Sequence, residues 1–250
     1  MEITLKVLKG RYSKKLNKLI GYGDLGLYND DGIVAYEEAF NITKKDSDEL
    51  LKMALDFDFY GLVDENEEED DWDDETPEYS ATFSSAHALV ALSSLEISDV
   101  KEEIMDVFDN ISPDNDAYLF AFDYYVASIY SQNMNFINDI LLDNKNSIEK
   151  RIHIFYAFEE IVKYFQNNTS LESIKNVSIK LLKQKEKNSE LNSLALNILL
   201  LTNNGVNEIK FIRECFRNLP IDELYIDSLE EIEVRLGLRE KEVEQISISK

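Results

Sequence analysis

The sequence predicts an all-α fold made of stacked helical repeats, and three observations carry that prediction. Eight short segments, each apolar on one face, follow one another at intervals of about 20 residues. They are Phe83–Leu95, Val100–Phe108, Tyr118–Tyr130, Phe136–Leu142, Ile148–Phe165, Leu171–Leu182, Leu191–Leu201 and Ile209–Leu219. No one of them is long enough to bury its own stripe, so each needs the next as a wall. Glycine and proline are scarce, 8 and 3 in 250 residues, too few for a β protein that turns about every ten residues.

The N-terminal 20 residues are basic, with Lys6, Lys9, Arg11, Lys14, Lys15 and Lys18 against Glu2 alone. Ile3, Leu5 and Val7 alternate as a short strand would, while Leu8, Leu16, Leu19 and Ile20 fit a helix equally well. Gly21, Gly23 and Gly26 then break the pattern. Their spacing is G-x-G-x-x-G, but no strand precedes it and the stretch from Asn29 to Gly32 stands where a helix should begin. That context makes the match to a phosphate-cradling loop a weak one. Gly32–Phe40 and Ser47–Leu55 read as a helix pair, with Thr43 and Asp46 as N-cap candidates for the second helix. From Asp64 to Glu75, ten of twelve residues are acidic, with Asn66 and Trp72 the exceptions. Like charge at that density cannot pack and predicts a solvated loop.

The repeats begin after Pro77. Asp99 with Glu102, and Thr169 with Glu172, read as capping boxes. Ser112-Pro113 opens a helix as cap and first residue. Asn203 to Gly205 closes another, with Gly205 as a left-handed cap. Two helices per roughly 40 residues is the spacing of HEAT-type repeats rather than of the tetratricopeptide unit. The fold expected is therefore a short HEAT-like α-solenoid of stacked antiparallel helix pairs with an irregular N-terminal cap. Residues 1–62 form the cap and helix pair, 63–78 the acidic loop, 79–240 the repeat region and 241–250 a polar tail.

Phe83–Leu95 followed by Val100–Phe108 resembles a family of bacterial HEAT-like repeat proteins of unassigned activity. There, a helix with His-Ala and Ala-Leu on its packing face precedes an amphipathic helix. Asp227–Leu238 resembles that family's closing segment, and Asn41–Leu55 its helical entry. The resemblance spans about residues 35–240. It implies the solenoid and a binding role, and it brings no catalytic residues. The chain departs from the family pattern at Leu229, where the closing turn usually has tryptophan, and in the aromatic richness of Tyr118–Tyr130.

Charge narrows the function classes. A formal net charge of −24 repels nucleic-acid phosphates, and it reads either as a device for solubility alone or as the complement of a basic partner. The lone Cys215 excludes an internal disulfide and reads as a small buried hydrophobe. No apolar run approaches the length of about 18 residues that a membrane span needs, and the N-terminus lacks a leader's apolar core. A cytoplasmic protein without membrane association is expected.

No constellation of reactive residues stands out. His87 and His153 are the only histidines, far apart and without cysteine neighbours, so packing roles are expected rather than zinc ligation. Ser84 and Ser85 neighbour His87 without a nucleophile elbow. Fifty carboxylates guarantee pairs at every spacing, so a hydrolytic dyad has no support. The acidic run lacks the glycine and closing glutamate of a calcium loop. Trp72 within it either pins the loop to the scaffold or anchors an interface. The partner-binding candidates are accordingly Glu69, Asp70, Asp71, Trp72, Asp73 and Asp74. The function expected is non-enzymatic protein–protein interaction with a basic protein, through the helical repeat surface and the acidic loop, with no cofactor or metal. The alternative is an acidic inhibitor or immunity protein that neutralises a basic enzyme such as a nuclease toxin. An enzyme with a site at the Gly21–Gly26 turn is the remaining reading.

Overall fold

The structure is a computed structural model describing residues 3–23, 36–62, 76–98, 101–108, 116–203 and 207–239. Those residues are helical or irregular, with no strand among them. No helix among them is long and apolar enough to cross a membrane. The chain divides into two compact units, Met1–Gln132 and Asn133–Lys250. The division falls inside the stretch expected as one repeat region, residues 79–240.

In the first unit, residues 3–8 resolve toward helix. Thr4 is extended and its hydroxyl accepts from the Val7 amide, which starts α1 (Leu5–Lys9) and sinks Leu8 into the core. A 3₁₀ turn, Leu16–Gly21, buries Leu16, Leu19 and Ile20. Helix α2 (Tyr36–Phe40) and a 3₁₀ turn, Lys44–Asp46, lead into α3 (Ser47–Ala54). The Asp46 carboxylate accepts from both the amide and the hydroxyl of Thr43, a reciprocal cap at the two residues the sequence singles out. A further 3₁₀ turn, Phe57–Leu62, precedes α4 (Pro77–Thr82), which Thr76 caps with proline at its first position. Next come α5 (Ser84–Ser94), α6 (Lys101–Val107) and α7 (Asp116–Tyr130).

Helix α5 is the axis of this unit. Ten of its eleven residues are buried, and it packs on α3 and α7. Ser84, Ser85, Ala86, Ala88 and Ala91 let neighbouring backbones approach, while Leu89, Val90 and Leu92 fill the space between. Ser93 donates to Ser128 across the α5–α7 contact at 2.7 Å.

The second unit holds α8 (Asn135–Leu142), α9 (Ile148–Glu160), α10 (Asn168–Lys183), α11 (Ser189–Asn203), α12 (Ile209–Asn218) and α13 (Leu229–Arg235). Helix α11 packs between α9 and α10, and α8 packs against both of those. Helix α9 runs on into a π-helical turn, Ile161–Phe165. Arg151 on α9 is buried: Nε donates to the Leu141 carbonyl at 2.9 Å, and a terminal nitrogen pairs with Glu186 at 2.6 Å. One side chain thereby ties the end of α8 to the α10–α11 connection.

Two expectations need correction. The cap of α10 is Asn167, not Thr169. Asn167 is extended, its side chain accepts from the Ser170 amide at 2.8 Å, and its own amide donates to the Ser170 hydroxyl. Asparagine outranks threonine at this position, and the helix starts one turn-fraction earlier as a result. On α7 the helical period puts Leu119, Phe122, Val126 and Ile129 on one core face, but Leu119 and Ile129 are only half-buried. The buried side is Tyr118, Ala121, Phe122, Tyr125 and Val126, because buried tyrosines share the core with the aliphatics. Tyr125 can do so because its hydroxyl donates to the Ile97 carbonyl at 3.2 Å. The caps expected at Asp99, at Ser112-Pro113 and at Gly205 lie outside the described residues, as does the start of the helix expected from Gly32.

Candidate functional site

The six partner-binding candidates, Glu69, Asp70, Asp71, Trp72, Asp73 and Asp74, lie outside the described residues. Their flanks do not. The turn Phe57–Leu62 and helix α4 pack on each other, and both contact α1. The cations of that basic N-terminal segment are partly committed to folding. Arg11 pairs with Asp56 at 2.9 Å and Asp58 at 2.6 Å, and its hydrogen bonds to those two carboxylates raise its pKa. Tyr12 donates to Asp56 at 2.5 Å. Lys15 pairs with Asp46 at 2.8 Å. Burial pushes the Asp46 carboxyl upward, but Lys15 and Thr43 outweigh it and hold the group below the usual carboxylate range. Lys6, Lys14 and Lys18 remain exposed.

The charge is unevenly shared along the chain. Ten of the fifty carboxylates sit in the single run Asp64–Glu75, which holds no lysine or arginine.

His87, Ser84, Ser85 and Cys215 are buried in the fold. His87 is fully buried, with Nδ1 2.7 Å from the Tyr36 hydroxyl and Nε2 2.6 Å from the Gly23 carbonyl. Gly23 adopts φ +71, which lets the chain turn and aim that carbonyl inward. Ser84 donates to the Ala81 carbonyl and Ser85 to the Asp56 carbonyl, and both serines are buried. His153 is half-buried and edge-on to Tyr156. Cys215 is buried, and burial pushes its thiol up to about 11, so little thiolate exists at neutral pH. Among the described residues no group of three or more His, Cys, Asp or Glu side chains is placed to hold a metal ion.

The second unit presents a different kind of feature on the turn between α12 and α13. Asn192 and Ser193, both fully buried on α11, hold this turn. The Asn192 amide donates to the carbonyls of Glu186 and Pro220, each at 3.0 Å. Ser193 accepts from the Asp222 amide at 2.8 Å. Asp222 folds its carboxylate back onto the Leu224 amide at 3.1 Å. The Tyr225 hydroxyl bonds Glu190, which raises its pKa, and Ile226 is buried. Leu224, at the tip, is 88 % exposed. Sequence reasoning passed over this residue. The signal was a leucine between acids, outside any helical period, after Pro220.

Comparison of the chain with family models, with curated proteins and with solved structures returns no match.

Proposed function

We propose that this protein is a non-enzymatic interaction module that binds a basic protein. The observation that supports this reading is the concentration of charge along the chain. Of 50 carboxylates against 26 lysines and arginines, ten fall in the twelve residues Asp64–Glu75, around Trp72. Concentrated charge of one sign raises the rate of encounter with a partner of the other sign. The aromatic ring within the run adds contact area that is apolar on its faces. The helical scaffold belongs to the HEAT-like solenoid reading, in which consecutive helix pairs offer a continuous surface. An inhibitor of a basic enzyme would use the same attraction and add occlusion of the enzyme's site.

The test starts from affinity capture in the native host, followed by association kinetics with the purified partner. The association rate should fall steeply as salt is raised. Replacing Asp64–Glu75 with a Gly/Ser linker should lower that rate and flatten its salt dependence, with the melting temperature unchanged. A partner that is not basic, or a rate that ignores salt, sinks the proposal.

A further inference from the structure

Leu224 is far more exposed than any other large hydrophobic residue described, at 88 % against 50 % for Leu201. Full burial of a leucine stabilises a fold. This one forgoes that gain, and not because its turn is slack. Three residues near it are held: Pro220 and Asp222 by α11 side chains and Ile226 by burial. A side chain presented on a rigid turn loses little further freedom when a partner covers it.

The surrounding charge indicates what that partner presents. Residues 218–234 contain six carboxylates and no lysine or arginine. Asp227, Glu230 and Glu233 are neutralised by Arg235, Arg239 and Arg213. Glu231 caps α13 through Ser228. Asp222 and Glu223, directly before Leu224, have no ion pair among the described residues.

We infer that Leu224 is an interface anchor that enters an apolar pocket rimmed by arginine or lysine on a protein partner. Asp222 and Glu223 meet that rim. The inference rests on the reading of this chain as a binder of basic proteins, and it names a contact on the second unit that is separate from Asp64–Glu75.

The experiment pans a phage-displayed library of random peptides against the full chain, then measures synthetic copies of the enriched peptides by titration. Enriched peptides should combine arginine or lysine with large apolar residues. Leu224→Ser should weaken them by about tenfold or more, the loss an anchor residue gives. Glu223→Gln should weaken them by a few-fold, since that carboxylate lies at the rim. Both variants should melt with the wild type, because neither side chain is buried. Cationic peptides that bind wild type and Leu224→Ser equally overturn the anchor and leave the wider reading standing. Failure to enrich cationic peptides at all overturns both. Self-association of the wild type that Leu224→Ser abolishes, seen by sedimentation, also overturns the inference, because the anchor would then serve a second copy of this chain.

Discussion

The Nε2 atom of His87 lies 2.6 Å from the carbonyl oxygen of Gly23, and that contact assigns the hydrogens of a fully buried ring. A carbonyl can only accept, so Nε2 donates. In the neutral ring Nδ1 is then an acceptor, and the Tyr36 hydroxyl donates to it at 2.7 Å. Residues 24–35 are bracketed by Gly23 and Tyr36, so one imidazole secures the chain on both sides of that segment.

Replacing His87 should therefore be costly. His87→Ala leaves the buried Tyr36 hydroxyl without this partner, about 1–3 kcal/mol, frees the part-buried Gly23 carbonyl at a smaller cost, and opens a cavity besides. A total loss of about 3–5 kcal/mol in urea unfolding is expected. His87→Phe refills the space but restores neither bond, and should recover only part of the loss. If Phe proves neutral, the ring serves packing alone.

Arg151 should matter more to the second unit than an ordinary surface cation. Arg151→Met leaves Glu186 and the Leu141 carbonyl unpaired and should cost about 2–4 kcal/mol. Adding Glu186→Gln should return a substantial part of that, since the stranded carboxylate is then gone. A double-mutant cycle measures this, and strict additivity would show that the pair is uncoupled.

Glu160 predicts a specific pH response. Burial raises its carboxyl pKa, Lys163 opposes this and Glu159 adds to it, and its Oε2 is buried without a hydrogen-bond partner. Glu159 is raised too, by burial, with a bond from Asn197 acting against the rise. A carboxyl raised in the fold binds its proton more tightly folded than unfolded, so stability falls as pH rises from about 4.3 through the folded pKa. Glu160→Gln removes one such contribution. The variant should be more stable than the parent at pH 7, and the gap should close as the pH approaches 4. A variant less stable at pH 7 contradicts the assignment.

Glu96 occupies a position that favours glycine. The Ile97 amide donates to the Leu92 carbonyl and the Glu96 amide to that of Ser93, closing α5 with Glu96 in the left-handed region at φ +53. Glu96→Gly should raise stability by about 0.5–1 kcal/mol. Glu96→Ala keeps the Cβ and should not. Equal gains from both would place the cost in the carboxylate rather than in the backbone.

Much of the helical layout was legible because apolar stripes report packing directly, as at Ile174, Val177 and Leu181 on α10. The cap at Thr43 was legible for a similar reason, since its partner is three residues away. Helix α5 was harder. Buried on nearly every side, it has little apolar contrast between faces, and its role as an axis comes from α3 and α7. The buried side of α7 was misjudged because its face was drawn through Leu119, Phe122, Val126 and Ile129, and the distant acceptor that lets Tyr125 be buried cannot be seen in a periodicity. His87 was read as a packing residue, but its partners are 51 and 64 residues away, beyond any local pattern. Leu224 left almost no trace, because exposure on a turn has no period to detect.

The ten carboxylates of Asp64–Glu75, in a chain of net charge −24, have a colloidal consequence. Particles of high like charge repel one another and stay dispersed. That one run of twelve residues supplies a large share of the repulsion between copies of the chain. A cationic partner that neutralised it would move the particle toward its point of zero mobility. Binding should thus register as a large drop in electrophoretic migration and a lower salting-out threshold, out of proportion to the mass gained.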